Sequence, residues 1–266
     1  ACSDFKFKKG LVSATKTSGH TLQIADGLWL DKKFKAAMMK SIAQSELDRK
    51  RFVYSDIGFI LLQQVVEAVT GKTLDAYLVS EFYRPMGLEH TLFQPLNRYK
   101  KADIMPTAAN DYLRRQDLCG YVHDEAAAFM GGVSGNAGLF STAQELGKIY
   151  QMILNEGELD GKRYLRPETC RIFTTEKSAV SHRGLGYDKP NLKDPKANAC
   201  ASSAPASVYG HTGFTGTCTW VDPENDLVYI FLSNRLCPDA WNGKLNSMKL
   251  RQAIQEVIYQ SLYTPE

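Results

Sequence analysis

The sequence has no long apolar run and no block of a single charge. No stretch approaches the ~18 apolar residues of a membrane-spanning helix, and the first thirty residues have no signal-peptide core. The 32 Lys and Arg residues nearly balance the 29 Asp and Glu residues, so the net charge is +3. That charge is too small to indicate a nucleic-acid-binding surface. We therefore expect no membrane span and no nucleic-acid partner.

The cysteines also lack the spacing of a metal site or of a disulfide framework. Both kinds of site are typically marked by close or regular cysteine spacing. The six cysteines here are far apart and include no C-x-x-C pair: Cys2, Cys119, Cys170, Cys200, Cys218 and Cys237. We expect isolated thiols, no metal site and no cofactor.

The sequence does contain enough apolar residues for a substantial core. Hydrophobic residues make up 44% of the 266 positions, which suits one large domain or two small ones. Residues 1–33 are weakly patterned and predict an irregular segment with at most one short strand. Residues 34–266 are predicted to form the main domain, within which 88–118 and 188–208 are interpreted as loops.

Apolar spacing predicts four principal helices, and start and stop signals predict two more at 73–83 and 167–173. The first covers residues 33–45, and the second begins after Asp56 and ends at Gly71. A capping box at 141–145 starts the third, and the fourth covers 247–263. Because the second helix is apolar around most of its circumference, we expect it to be buried.

A glycine-rich stretch at residues 209–216 reads Tyr-Gly-His-Thr-Gly-Phe-Thr-Gly. Its glycines leave the backbone open to close approach by another molecule. Two β-rich runs follow, at 217–221 and 227–232, and the turn residues between them predict a hairpin. The stretch would lie on or beside a sheet edge, facing a cleft. An edge strand without chemistry is the alternative.

Three motifs together resemble the serine β-lactamase and penicillin-binding-protein family, in its class C and esterase-like branch. They are Tyr-Ser-Asp at 54–56, Gly-Leu-Phe-Ser-Thr-Ala at 138–143 and Gly-His-Thr-Gly-Phe-Thr-Gly at 210–216. The resemblance covers roughly residues 50–262. It implies an α/β fold of the α+β type, with an antiparallel sheet flanked by helices.

The resemblance also implies site residues, because the family joins a Ser-x-x-Lys helix, a Tyr-x-Asn loop and a Lys-Thr-Gly strand in one cleft. By this match Tyr54 helps to move a proton, Asp56 occupies the usual Asn position and His211 that of the strand lysine. Tyr54 and His211 would therefore line one pocket. The remaining candidates are substrate-binding positions: Thr212, Gly213, Phe214 and Thr215.

Each candidate has a purely structural alternative. Tyr54 could be a packed tyrosine before a helix, and Asp56 could serve as an N-cap alone. An aspartate at that position can accept hydrogen bonds but cannot donate them as Asn does. His123 and Asp124 are interpreted mainly as a pair that orders their loop.

The family's nucleophile motif has no convincing match. Ser13-Ala14-Thr15-Lys16 fits formally, but a polar, glycine-broken segment follows it rather than a buried helix. We interpret it as a chance match. The sequence then predicts the C-terminal portion of such a domain, truncated at its N-terminus, with an exposed sheet edge that a partner or a second copy covers.

Three functions remain open. The first is a serine hydrolase acting on a β-lactam, a peptidoglycan peptide or a small ester. The second is a non-catalytic module that binds cell-wall peptide or glycan. The segment 120–128 resembles proteins of Bacteroides relatives in which an upstream family-3 glycoside hydrolase precedes this domain, and the resemblance implies a periplasmic or cell-envelope location. The third is a metal hydrolase using His20, His90, His123, His182 or His211.

Overall fold

The computed structural model of the chain describes residues 6–46, 52–175 and 177–263. By their contacts the residues fall into two compact units. The first unit comprises the described residues within 1–141 and 236–240, and the second comprises those within 142–235 and 241–266. Helices and antiparallel strand pairs occur in both units, so the predicted α+β fold class is confirmed. That 34–266 form one domain stays a prediction.

Among its described residues, the first unit contains seven strands and four α-helices. The strands are β1 (Val12–Ser13), β2 (His20–Ala25), β3 (Leu28–Asp31), β4 (Leu92–Phe93), β5 (Pro106–Asp111), β6 (Gln116–Cys119) and β7 (Leu139–Phe140). The helices are α1 (Phe34–Ala43), α2 (Ile57–Thr70), α3 (Leu74–Leu78), which continues as a π turn over Val79–Tyr83, and α4 (Glu125–Phe129).

The N-terminal segment is more regular than its sequence indicated. Strands β1, β3 and β2 form an antiparallel sheet in that order, where an irregular segment was expected. Gly27, at φ +58°, makes the tight turn between β2 and β3. Ile24 and Leu30 from these strands pack with Ala128 in a buried cluster. The register between β2 and β3 is irregular at two places, which interrupts the alternation of apolar and polar residues that predicts strands.

The expected loop at 88–118 also contains strands. Strands β5 and β6 pair as an antiparallel hairpin, and β4 pairs with β7. The β5–β6 register is interrupted by irregularities. Such bulges shift side chains from one face of a strand to the other, which removes the alternation that predicts strands.

Helix α2 has the predicted bounds but not the predicted burial. It ends at Gly71, whose φ of +67° is the left-handed conformation of a helix C-cap. Of its residues only Ile60 and Gln63 are buried. Leu62, Val65 and Val69 are 56%, 55% and 80% exposed. Other described residues therefore pack against only one side of α2, although the helix has apolar residues on several sides.

The second unit contains the remaining elements. Its helices are α5 (Ala143–Leu154), α6 (Pro167–Thr175), α7 (Lys244–Ser247) and α8 (Leu250–Tyr263). Its strands are β8 (Glu158–Leu159), β9 (Lys162–Arg163), β10 (Tyr209–Thr212), β11 (Cys218–Asp222) and β12 (Leu227–Phe231).

The glycine-rich stretch begins a three-stranded antiparallel sheet. The strand order is β10, β11, β12, which confirms the predicted hairpin. The capping interaction of α5 is confirmed too, because the Thr142 side chain accepts a hydrogen bond from the Glu145 backbone N–H. Trp220 and Tyr259 form the core between this sheet and α8, and each is at most 2% exposed.

The interpretation of 188–208 as a surface loop is wrong for part of its length. Cys200, Ala201 and Val208 are at most 2% exposed and belong to the same core cluster as Trp220. The segment has little regular secondary structure, and small apolar residues among Lys, Pro and Ser gave no periodic signal. Irregular chain can be buried where its backbone groups find partners: the Ala201 N–H donates to Gln255 Oε1.

Buried thiols in this core predict a loss of stability at alkaline pH. Burial raises the pKa of Cys200 from 9.0 to about 12 and that of Cys218 to about 11. The unfolded chain releases these protons near pH 9 while the folded chain keeps them. The stability that each thiol contributes is therefore present below pH 9 and lost as pH rises toward the folded pKa.

We expect Cys200→Ala to make the free energy of unfolding fall less steeply above pH 9. Each raised thiol contributes up to about 1.4 kcal/mol per pH unit to that slope. Urea unfolding measured between pH 8 and pH 10.5 gives the slope directly. Val208→Ala, at a buried residue of the same cluster that carries no ionisable group, is the control and should leave the slope as in the wild type. Identical slopes in all three proteins would contradict the prediction.

Within the described part of the chain, no helix is both long and apolar enough to cross a bilayer.

Candidate functional site

The first part of the candidate site lies at the N-terminus of α2. Tyr54 is 56% exposed and lies outside regular secondary structure, two residues before Asp56. The Ser55 hydroxyl accepts a hydrogen bond from the Ile57 N–H at 3.3 Å. Asp56 occupies the N-cap position, but its side chain makes no capping hydrogen bond. The carboxylate of Asp56 therefore does not serve the capping role that its position predicted.

A glycine-rich loop at 131–136 packs against α2. The amide of Gln63 spans the contact, because its nitrogen donates to the Val133 carbonyl and its oxygen accepts from the Gly135 N–H. Gln63 is 2% exposed. This buried glutamine satisfies the loop's backbone groups and fixes the loop to the helix that follows Tyr54.

Gly135 is the position where this contact is tightest. A Cβ atom there would lie 2.1 Å from the Phe59 carbonyl oxygen, far inside contact distance. We expect Gly135→Ala to lower the free energy of unfolding by about 1–3 kcal/mol, because the loop must move away from α2. Gly58→Ala is the matched control, since a Cβ atom at Gly58 meets nothing within 4 Å.

Urea denaturation of both variants checks this prediction. Alanine favours an α-helix over glycine by roughly 0.5–1 kcal/mol, so Gly58→Ala should be neutral or slightly stabilising. Equal stabilities for Gly135→Ala and Gly58→Ala would show that the loop does not pack as described.

His123 and Asp124 take up separate structural tasks in the first unit. Asp124 caps α4 by accepting from the Ala127 N–H, and it also accepts from the Asn136 amide. His123 lies 3.8 Å from the buried Asp111 carboxylate. Burial lowers the pKa of His123, while Asp111 acts in the opposite direction. The loop-ordering interpretation fits Asp124, which holds α4 and the 131–136 loop together.

The second part of the candidate site is strand β10 and the turn after it. His211 pairs with Thr219 and Thr212 with Cys218 across the β10–β11 ladder. The His211 Nδ1 atom lies 2.7 Å from the Thr212 carbonyl oxygen, and its Nε2 atom lies 3.0 Å from an Arg183 guanidinium nitrogen. The imidazole is thus held at both ring nitrogens.

Arg183 belongs to a polar network that the sequence did not reveal. Its second terminal nitrogen lies 3.3 Å from the Asp188 carboxylate, which is also 2.9 Å from His182 Nε2. Asp188 exchanges two backbone hydrogen bonds with Gly210, the neighbour of His211. Because 182 and 188 lie in irregular chain, no periodicity connects them to the strand. The one signal in the sequence was the presence of ionisable side chains close together, at His182, Arg183 and Asp188.

Arg235 holds the turn that follows β10. Its Nε atom donates to the Phe214 carbonyl, its backbone N–H donates to the Thr215 carbonyl, and its guanidinium stacks 4.5 Å from the Phe214 ring centroid. The Gly213 N–H donates to the Thr217 carbonyl, which closes the turn. Phe214 is still 67% exposed. The backbone of the predicted substrate-binding positions is therefore fixed, while the phenyl ring of Phe214 is open to solvent.

The formal Ser-x-x-Lys match does not lie on a helix. Ser13 is in strand β1 and pairs with Trp29, and Lys16 lies 5.6 Å from the centroid of the Trp29 ring. A strand does not place a lysine one turn below a serine. A second stretch with this spacing, Ser3 to Lys6, begins outside the described residues.

The predicted site residues form two groups, one in each unit. Tyr54 and Asp56 are in the first unit, and the strand and turn residues His211 to Thr215 are in the second. That Tyr54 and His211 line one pocket stays a prediction. A cavity of about 240 Å³ in the first unit is lined by other residues, including Trp29, Gln94 and Tyr121. Among the described residues, no three His, Cys, Asp or Glu side chains are placed to hold a metal ion.

The chain belongs to the β-lactamase family, whose model, described as "Beta-lactamase", matches residues 14–247. A curated relative from Escherichia coli K12, named "Putative D-alanyl-D-alanine carboxypeptidase", is 38% identical over 197 residues. The match covers 70% of this chain and 45% of the relative. A relative with the same name from Salmonella gallinarum is 32% identical, with 80% of this chain and 52% of the relative covered. The chain thus spans about half the length of these curated relatives.

Solved structures share the fold at low sequence identity. A penicillin-binding-protein homologue from Caulobacter crescentus has a TM-score of 0.58 at 17% identity, with 94% of this chain and 67% of that chain covered. An octameric penicillin-binding-protein homologue from Pyrococcus abyssi has a TM-score of 0.55 at 17% identity, with 87% and 49% covered.

Proposed function

We propose that this chain supplies part of the active site of a serine hydrolase that cleaves D-alanyl peptides of the cell wall and is acylated by β-lactams. The observation that carries the proposal is the preserved pair of family motifs, Tyr-Ser-Asp at the start of α2 and His-Thr-Gly on β10, on ordered elements of a β-lactamase-family chain. The names of the curated relatives support the choice of substrate and a location in the cell envelope.

In the proposed reaction, a serine oxygen attacks the acyl carbon of the substrate. The new ester bond forms as the C–N bond breaks, and the serine proton passes through the Tyr54 hydroxyl to the leaving nitrogen. Water then hydrolyses the ester. The backbone at Phe214 and Thr215 is proposed to lie near the oxyanion, and Asp56 to accept a hydrogen bond from a substrate N–H.

The nucleophile is proposed to lie outside the 266 residues, because Ser13 sits in a strand and Lys6, the lysine of the second stretch, is not in a helix. The segment that carries it would cover the exposed face of α2. An apolar face with Leu62, Val65 and Val69 more than half exposed is typical of a surface that another segment or chain covers. Alternatively, a second copy of the chain packs on this face of α2.

Labelling with a fluorescent penicillin, read by intact mass, tests the proposal. The 266-residue chain by itself should show no adduct. The chain extended at its N-terminus by its upstream coding sequence should gain the mass of one penicillin on a serine of the added segment. An adduct on Ser3 or Ser13 of the short chain would overturn the assignment of the nucleophile.

A non-catalytic module is the second candidate, favoured by Asp56 at the usual Asn position. Such a module would bind cell-wall peptide or glycan beside a separate catalytic domain, for instance a glycoside hydrolase. It predicts that the extended chain folds and binds peptidoglycan fragments in calorimetry, but is never acylated. A folded, extended chain without an adduct would therefore favour this second function.

A further inference from the structure

The hydrogen bonds around His211 determine where its imidazole carries its proton. Arginine has donors and no acceptor, so in the 3.0 Å contact with Arg183 the His211 Nε2 atom must accept. A carbonyl oxygen can only accept, so in the 2.7 Å contact with Thr212 the Nδ1 atom must donate. The two contacts together require a neutral ring with its proton on Nδ1.

Asp188 fixes the guanidinium that imposes this state. The carboxylate is 8% exposed, and one of its oxygens forms an ion pair with Arg183 at 3.3 Å. Its other oxygen accepts from the Lys189 N–H at 3.0 Å and lies 2.9 Å from His182 Nε2. Because the planar fork of arginine presents several donors in fixed directions, one guanidinium can contact Asp188 and His211 at once.

The backbone holds this arrangement in register with the strand. Asp188 and Gly210 exchange hydrogen bonds of 2.7 and 3.0 Å between their N–H and carbonyl groups. Asp188 therefore sits beside β10, one residue from His211. This bridge places Asp188 beside the strand that carries His211, and the ion pair with Asp188 holds Arg183 next to it.

We infer that Arg183, oriented by Asp188, is a positioning residue that keeps His211 neutral with its proton on Nδ1 and its Nε2 lone pair occupied. The permanent positive charge next to the His211 ring is then carried by the Arg183 guanidinium. His211 acts neither as a cation nor as a proton acceptor while this pair is intact. Its role in catalysis rests on the proposed function, whereas the protonation state of the ring does not.

Nitrogen NMR of the ring tests the inference without any substrate. In the ¹⁵N-histidine-labelled chain at pH 7, His211 should show one protonated nitrogen, Nδ1, and one bare nitrogen, Nε2. The His211→Gln variant assigns the signals by their loss. A doubly protonated ring, or a proton on Nε2, would overturn the inference in the wild-type protein alone.

Arg183→Met should then weaken the preference for the Nδ1–H form by about tenfold, the effect of losing one hydrogen bond to a charged donor. Its signature is a shift of the Nε2 resonance toward the protonated value. Arg171→Met is the matched control in the same unit, since it removes the same charge from an exposed ion pair with Glu156 and should leave the His211 signals unchanged. If the Nε2 resonance does not change in Arg183→Met, the hydrogen bond to the Thr212 carbonyl alone determines the position of the ring proton, and the inference is wrong.

These outcomes separate the inference from the proposed function. If penicillin labelling fails, the expected protonation of Nδ1 and Nε2 in His211 is still the same, because it does not depend on the proposed function. If NMR shows a different protonation of the His211 ring, the penicillin-labelling experiment still tests whether the protein is a serine hydrolase.

Discussion

Replacing Gly210 by alanine is expected to lower the free energy of unfolding by more than about 3 kcal/mol. A Cβ atom at this position would lie 2.0 Å from the Thr219 carbonyl oxygen and 2.7 Å from the Trp220 ring. Neither atom can move cheaply, because the first is strand backbone and the second is a core side chain that is 2% exposed. The β10–β11 ladder would have to separate.

Gly243→Ala is the matched control for this prediction. Gly243 lies in the same unit, and a Cβ atom there meets nothing within 4 Å. We expect a change within about 0.5 kcal/mol. Urea unfolding followed by tryptophan fluorescence measures both variants. A Gly210→Ala protein as stable as Gly243→Ala would contradict the strand pairing described for residues 209–212.

Replacing Tyr54 by phenylalanine is expected to slow acylation by penicillin at least 100-fold in the N-terminally extended chain. Under the proposed function the Tyr54 hydroxyl passes the serine proton to the leaving nitrogen, and proton transfer by a positioned side chain contributes about 10²–10⁴ in rate. Because Tyr54 is 56% exposed, loss of the hydroxyl should change stability little. The effect should therefore be on the rate and not on the fold.

Tyr112→Phe is the matched control for the rate measurement. Tyr112 is a comparably exposed tyrosine of the same unit, and its hydroxyl donates to Glu125 outside the family motifs. The acylation rate is read from the time course of fluorescence incorporation, with circular dichroism as the check on folding. A folded Tyr54→Phe protein within threefold of the Tyr112→Phe rate would remove Tyr54 from the proposed proton path.

Local sequence signals predicted the elements that local interactions stabilise. The end of α2 at Gly71 follows from the conformational freedom of one glycine, and the start of α5 follows from the Thr142 side chain and the Glu145 N–H. The hairpin of β11 and β12 follows from two β-rich runs and the turn between them. In each example the partners lie a few residues apart, so the pattern is visible in the sequence.

Burial was not visible in the same way. The apolar circumference of α2 predicted a covered helix, yet Val69 is 80% exposed. The polar segment 188–208 predicted a surface loop, yet Ala201 is fully buried. Hydrophobic character describes what a residue would gain from burial, whereas the neighbours that cover it come from distant parts of the chain.

The sequence by itself determined the family, the two motifs that define the candidate site, and the helices and strands around those motifs. Only the tertiary structure brought Arg183 and Asp188 to His211, and only it showed Gln63 fixing the 131–136 loop to α2. The physical reason is separation along the chain: Arg183 and His211 are 28 residues apart, and Gln63 and Gly135 are 72 apart. Contacts over such separations are set by how sheets and helices pack, which local patterns do not record.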